Sequence, residues 1–143
     1  MINISEILEA NEMILFSINH LLPQLSKSSK PINLKQLNQL ANSECTRLFV
    51  AKEDENILGM LSLVVFSIPT GIKAWIEDVV VDENARGKGV GKILMNHAME
   101  KARSLGAKSL DLTSRPSREA ANKLYQAIGF QERETNVYRY STS

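Results

Sequence analysis

The chain of 143 residues contains one cysteine, Cys45, so it forms no internal disulfide and holds no Cys-rich metal centre. A thiol in so mixed a polar segment reads as buried or incidental rather than nucleophilic. No His-x-x-x-His or comparable ligand spacing occurs either, and no metal is expected. The charge is nearly balanced, with Lys+Arg 17 against Asp+Glu 16 and a net charge of +1. A field that gathers nucleic acid or anionic membrane is therefore missing. With aromatics at only 6%, there is no platform of stacked rings among the cations, and nucleic acid is not expected as a partner. No apolar run approaches the roughly 20 residues of a membrane span. Met1 to Glu9 brings acidic residues and no Lys or Arg ahead of its apolar positions, unlike a signal peptide. These absences lead to the expectation of a cytoplasmic protein.

What is present suits a globular fold: hydrophobic residues make up 43% and charged residues 23%. A chain of this length fits one domain, expected to span residues 1–143. Met13, Ile14, Ile18, Leu21 and Leu22 recur at helical spacing within Glu9 to Leu25, a pattern that Pro23 should disturb near its end. Ser26 to Pro31 reads as a loop, and Leu34, Leu37, Leu40 and Ala41 predict a second short helix. Arg47 to Lys52 and Ile57 to Ile68 predict a hairpin about the turn Glu53-Asp54-Glu55-Asn56. A strand from Lys73 to Val81 should follow. The stripe Val90, Leu94, Ala98 and Ala102 then predicts a helix stopped at Gly106. Lys108 to Thr113 reads as a short strand, and Ser117 as the N-cap of a helix closed by Gly129. Phe130 to Arg133 and Asn136 to Tyr140 predict terminal strands. The order argues for a mixed α/β or α+β domain, a mostly antiparallel sheet flanked by helices.

Chemistry concentrates at Arg86-Gly87-Lys88-Gly89-Val90-Gly91, between the mostly apolar run Ile76 to Val81 and the third helix. A Gly-rich turn that opens a helix points several backbone N–H groups at one place, which suits a phosphate. Gly89 and Gly91 allow close approach of the backbone, while Arg86, Lys88 and Lys92 add positive charge. The dinucleotide fingerprint fails here, because the glycines alternate and no acidic residue closes a second strand about 20 positions on. The nucleotide-triphosphate loop fails as well, since neither Gly-Lys-Ser nor Gly-Lys-Thr occurs.

Val79-Val80-Val81-Asp82-Glu83-Asn84-Ala85-Arg86-Gly87-Lys88-Gly89-Val90-Gly91 resembles the acetyl-CoA motif of the GCN5-related N-acetyltransferase superfamily. Arg86, Gly89 and Gly91 match its pattern of Gln or Arg, two residues, Gly, one residue, then Gly or Ala. Ala121, Leu124, Tyr125, Gly129 and Phe130 resemble the family's later helix, which carries a Leu-Tyr pair and ends in Gly-Phe. The resemblance covers roughly residues 47 to 133.

The resemblance implies an acetyl-CoA-dependent N-acetyltransferase that passes acetyl directly to a primary amine. Backbone groups of Val79, Val80 and Val81 would hold the pantetheine arm, and Arg86, Gly87, Lys88, Gly89, Val90, Gly91 and Lys92 the pyrophosphate. Tyr125 matches the tyrosine that protonates the departing CoA thiolate. Asn122, one turn before it, could touch the pantetheine. The family's usual Asn seven positions before the tyrosine is Arg118 here. Glu77 occupies the position of a carboxylate base, with Asp78 second to it. Strand alternation would put Glu77 with Val79 and Val81 and turn Asp78 to the other face. His20 and His97 are further candidate bases. Tyr138 and Tyr140 share strand parity and could line an acceptor pocket. The acceptor, a small-molecule or protein amine, is not specified, and a homodimer stays open. A non-catalytic acyl-CoA sensor is the alternative function.

Overall fold

The computed structural model describes residues Met1–Ser143. It comprises two compact units, Met1–Leu112 and Thr113–Ser143. In the first unit the strands are β1 (Ile2–Glu6), β2 (Thr46–Glu53), β3 (Asn56–Ile68), β4 (Gly71–Val81) and β5 (Leu110–Asp111). They form a single sheet in the order β1-β2-β3-β4-β5. Neighbours are antiparallel except β4 and β5, which run parallel. The mixed, mostly antiparallel sheet is the expected architecture. The sequence pattern does not predict strand β1: Ile2 and Ile4 alternate with Asn3 and Ser5, but the run is too short to stand out.

The helices of this unit are α1 (Glu12–Leu25), α2 (Leu34–Ala41) and α3 (Val90–Ser104). Helix α1 starts where the Asn11 side chain accepts from the Ile14 N–H at 2.8 Å. Pro23 lies in its last turn and does not break it, since the helix has only two residues left to form. Helix α2 opens on a capping box in which Asn33 and Gln36 bond each other's backbone N–H at 2.8 Å. The loop between them is held by Asn19, whose side chain donates to the Ile32 carbonyl at 3.0 Å and accepts from its N–H at 2.9 Å.

Two apolar layers sandwich the sheet. On one face Leu48, Val50, Met60 and Val80 pack with Ile18, Leu21 and Leu37 of α1 and α2. The opposite face carries Phe49, Leu61, Leu63 and Ile76, with Phe49 paired to Leu61 and Leu63 to Ile76. The His97 ring meets Phe49 edge-on with centroids 4.7 Å apart, which places α3 over this second face. Its stripe Val90, Leu94, Ala98 and Ala102 is buried as the periodicity predicts. Each fully buried Leu removes enough apolar surface from water to contribute about 2 kcal/mol. Helix α3 ends as expected at Gly106, at φ 84, with the Ala107 N–H bonded to the Ala102 carbonyl at 3.0 Å.

The second unit contains α4 (Glu119–Ala127). Its N-cap is Arg118, without a side-chain cap, and not Ser117. Pro116 and Ser117 occupy the turn ahead of it, closed by the Arg118 N–H on the Arg115 carbonyl at 3.0 Å. Past Gly129 the chain is irregular, and neither predicted terminal strand forms. Tyr138 and Tyr140 are 87% and 89% exposed, so the shared aromatic face expected of a strand is not built. Strand propensity alone does not make a strand where no strand of the sheet lies alongside.

Candidate functional site

The strand that leads into the Gly-rich loop is irregular at its centre. Met60 pairs with Val80 and Ser62 with Glu77, so Leu61 of β3 stands against two residues of β4, Asp78 and Val79. This is a β-bulge, and Asp78 takes φ 50 to make it. Asp is one of the few residues besides Gly that tolerate that region.

The bulge corrects the alternation drawn from sequence. Glu77 pairs with Ser62, which shares its face with Met60, so Glu77 lies on the α1 and α2 side together with Val80. Val81 pairs with Gly59, whose missing Cβ would point at Val90 and Leu94 of α3, so Val81 lies on the opposite face. Glu77 therefore does not share its face with Val81. Glu77 and Asp78 are both exposed.

The same irregularity redirects the backbone. Before the bulge, the Ala74 N–H donates to the Ser109 carbonyl at 3.1 Å, so the even-numbered residues address β5. After it, the Asp82 N–H donates to the Leu58 carbonyl of β3 at 2.8 Å. Peptide groups alternate sides along a strand, so Val79 and Val81 now aim their N–H and C=O away from β3. Strand β5 pairs only with Ala74 and Trp75, which leaves the β4 edge at Val79 and Val81 without a strand neighbour. Val80 contributes nothing to that edge: its carbonyl turns toward β3 and its side chain is buried in the core.

The loop continues from this edge. Asp82 caps a short 3-10 turn, Glu83–Ala85, by accepting from the Asn84 N–H at 3.2 Å. Gly87 and Gly89 both have positive φ, 86 and 76, and Gly89 is the N-cap of α3 with no side-chain cap bond. Nothing lies within 4 Å of where a Cβ would stand on either glycine. The first α3 bond joins the Ile93 N–H to the Gly89 carbonyl at 3.1 Å, so the N–H groups of Val90, Gly91 and Lys92 precede the helical ladder. Such an uncapped backbone, with Arg86 and Lys92 exposed beside it, has the chemistry to receive a phosphate. Lys88 is already engaged: its Nζ donates to Glu53 Oε1 at 3.1 Å.

His20 of α1 contacts Asp82, with Nε2 3.2 Å from Oδ2. One turn on, Gln24 Oε1 accepts from the Glu83 N–H at 2.8 Å. These contacts, which no sequence spacing reveals, tie α1 to the end of β4. His97 instead packs against Phe49. Cys45 is exposed, and no group of three or more His, Cys, Asp or Glu could hold a metal ion. No helix is long and apolar enough to cross a membrane.

In the second unit Tyr125 is buried, and burial pushes its phenol above the ordinary tyrosine range, with the Arg118 charge pulling the other way. The Phe130 N–H bonds the Tyr125 carbonyl at 2.9 Å, the Gly129 N–H bonds the Gln126 carbonyl at 3.2 Å, and the two rings lie 6.1 Å apart. This is a Schellman closure with its apolar contact, which ties Tyr125 to Gly129-Phe130 in this chain. Asn122 donates its Nδ2 to the Arg115 carbonyl at 2.9 Å, a bond that braces the turn before α4.

Residues 15–130 match the acetyltransferase (GNAT) family. The chain belongs to that family. It is 32% identical over 99 residues to the uncharacterized N-acetyltransferase YhdJ of Bacillus subtilis, a match covering 68% of this chain and 70% of YhdJ. Among solved structures, one described as a transcriptional regulator from Bacillus halodurans superposes with a TM-score of 0.82 at 25% identity, covering 99% of this chain and 100% of that one. The aminoglycoside N-acetyltransferase AAC(6')-Iy, solved in complex with CoA, shares the fold with a TM-score of 0.81 at 18% identity, covering 100% of this chain and 96% of that one.

Proposed function

We propose that the protein transfers acetyl from acetyl-CoA directly to a primary amine. The observation that carries this reading is the continuity of an unpaired β4 edge at Val79 and Val81 with the uncapped glycine loop before α3. An extended amide-bearing arm matches the first and a pyrophosphate the second, which together describe CoA. When bound, acetyl-CoA supplies an acyl group activated as a thioester.

The residues of the chain supply orientation and proton transfer. Val79 and Val81 offer alternating donors and acceptors along the edge, while the amides of Val90, Gly91 and Lys92 and the charge of Arg86 hold phosphate. Glu77 is exposed beside the bulge, where its carboxylate accepts the proton that an ammonium acceptor must lose before attack. Tyr125 carries its proton at neutral pH as any phenol of ordinary pKa about 10 does, and burial shifts it further in that direction, so the proton is there for the leaving thiolate.

An acetyl-CoA-dependent amine screen with detection of free thiol tests the reading. Thiol release with at least one amine class, lost in Glu77→Gln and Tyr125→Phe at retained CoA affinity, is the expected result. Tight acetyl-CoA binding without thiol release across broad amine classes would identify an acyl-CoA sensor instead. No binding of acetyl-CoA would overturn the assignment of the cofactor.

A further inference from the structure

Resting on the CoA reading above, we propose that Glu53 is an internal competitor for the phosphate loop, a carboxylate that holds Lys88 until the cofactor's pyrophosphate displaces it. Lys88 stands between Gly87 and Gly89, both at positive φ, so its backbone position is set by the loop. Its ammonium is 3.1 Å from Glu53 Oε1, with side-chain exposures of 47% for Lys88 and 36% for Glu53. Lys88 carries its ammonium on a flexible four-carbon stem, whereas Glu53 has a shorter side chain and is the last residue of β2, paired with Ile2 on one side and Asn56 on the other. The lysine has the longer reach of the two.

The surroundings sharpen this asymmetry. Glu53 opens the acidic turn Glu53-Asp54-Glu55. That turn is kept beside the loop by the Asp82 N–H bond to Leu58 and by the close approach of Gly59 to Val90. Of the three cations around the helix start, Lys88 alone is in an ion pair, while Arg86 and Lys92 are exposed. A phosphate arriving at the loop therefore meets one neutralised cation and a carboxylate behind it. Binding exchanges Lys88–Glu53 for Lys88–phosphate and leaves Glu53 unpaired beside an anion. Glu53 thereby weakens retention of CoA, the product as well as the substrate carrier.

Calorimetric titration of acetyl-CoA and of 3'-dephospho-CoA into the full chain tests this. Glu53→Gln, at the surface, is expected to tighten both ligands about threefold to fivefold, the range of an exposed ion pair. Lys88→Gln is expected to weaken both, and Glu53→Gln in the Lys88→Gln background to give no further change. An unaltered Kd in Glu53→Gln, with the unchanged protein binding acetyl-CoA, overturns this inference alone. So does a tightening of equal size without Lys88, which would mean simple repulsion, or one confined to acetyl-CoA, which would assign Lys88 to the 3'-phosphate. Failure of the unchanged protein to bind either ligand overturns the cofactor reading itself.

Discussion

Ile76 and Val80 sit four residues apart on one strand, an even interval, and yet face opposite layers of the core. Ile76 pairs with Leu63 on the α3 side, and Val80 pairs with Met60 on the α1 and α2 side. One added residue at the bulge accounts for the reversal. It is also what turns the peptide groups of Val79 and Val81 to the unpaired edge, so core packing and the candidate cofactor surface depend on the same insertion.

The bulge depends on Asp78 at φ 50. Asp78→Gly should stabilise the protein by about 0.5–1 kcal/mol, because Gly enters that region without steric cost. Asp78→Val should destabilise it by about 1–3 kcal/mol, since a β-branched residue there is a steric outlier. Urea denaturation followed by circular dichroism measures both. Equal stabilities for the two variants would show that the left-handed conformation does not limit this position.

Much of this architecture is legible in the chain, for reasons particular to each element. Helix α3 follows from Val90, Leu94, Ala98 and Ala102 with Gly106 as its stop, and the β2–β3 hairpin from two apolar runs about an acidic turn. The bulge is not legible, since Lys73 to Val81 reads as unbroken strand and an added residue has no composition of its own. Contacts between distant segments, such as His20 with Asp82 or Lys88 with Glu53, carry no local signal. The failed terminal strands show the converse: Val137, Tyr138 and Tyr140 have strand propensity, but propensity does not supply a partner.

Gly59 brings β3 close to both a β4 carbonyl and α3. A Cβ there would stand 2.9 Å from the Val80 carbonyl oxygen, 3.1 Å from Val90 Cγ1 and 3.3 Å from Leu94 Cδ1. The Val80 oxygen is backbone and cannot rotate away, so Gly59→Ala must separate the strands or lift the start of α3. A loss of about 1–3 kcal/mol is expected, the usual cost of overpacking. A melting temperature equal to that of the unchanged protein would contradict the tight approach.

Ser114 presents the opposite situation, a buried hydroxyl oxygen with no hydrogen-bond partner. Leaving a buried hydroxyl unsatisfied forfeits its hydration without return. Ser114→Ala should therefore be neutral or stabilising, by up to about 1 kcal/mol, in contrast to the usual loss on truncating a buried polar side chain. A clear drop in denaturation midpoint would show that the hydroxyl is bonded in solution.

Tyr125 makes stability depend on pH in a calculable direction. An unfolded tyrosine ionises near pH 10, as its ordinary pKa of about 10 requires. In the folded chain burial holds the proton to higher pH, with Arg118 partly offsetting the effect. Between those two values the unfolded state has lost its proton and the folded state has not. Stability from this group is thus fully present below about pH 10, falls as pH rises through the window, and levels off above the folded pKa. Urea denaturation from pH 8 to 11 should show Tyr125→Phe losing less stability with rising pH than the unchanged protein. Arg118→Gln, which removes the one charge that favours the phenolate, should extend the decline to higher pH. Parallel curves for all three proteins would show that the phenol is solvated and that burial does not raise its pKa.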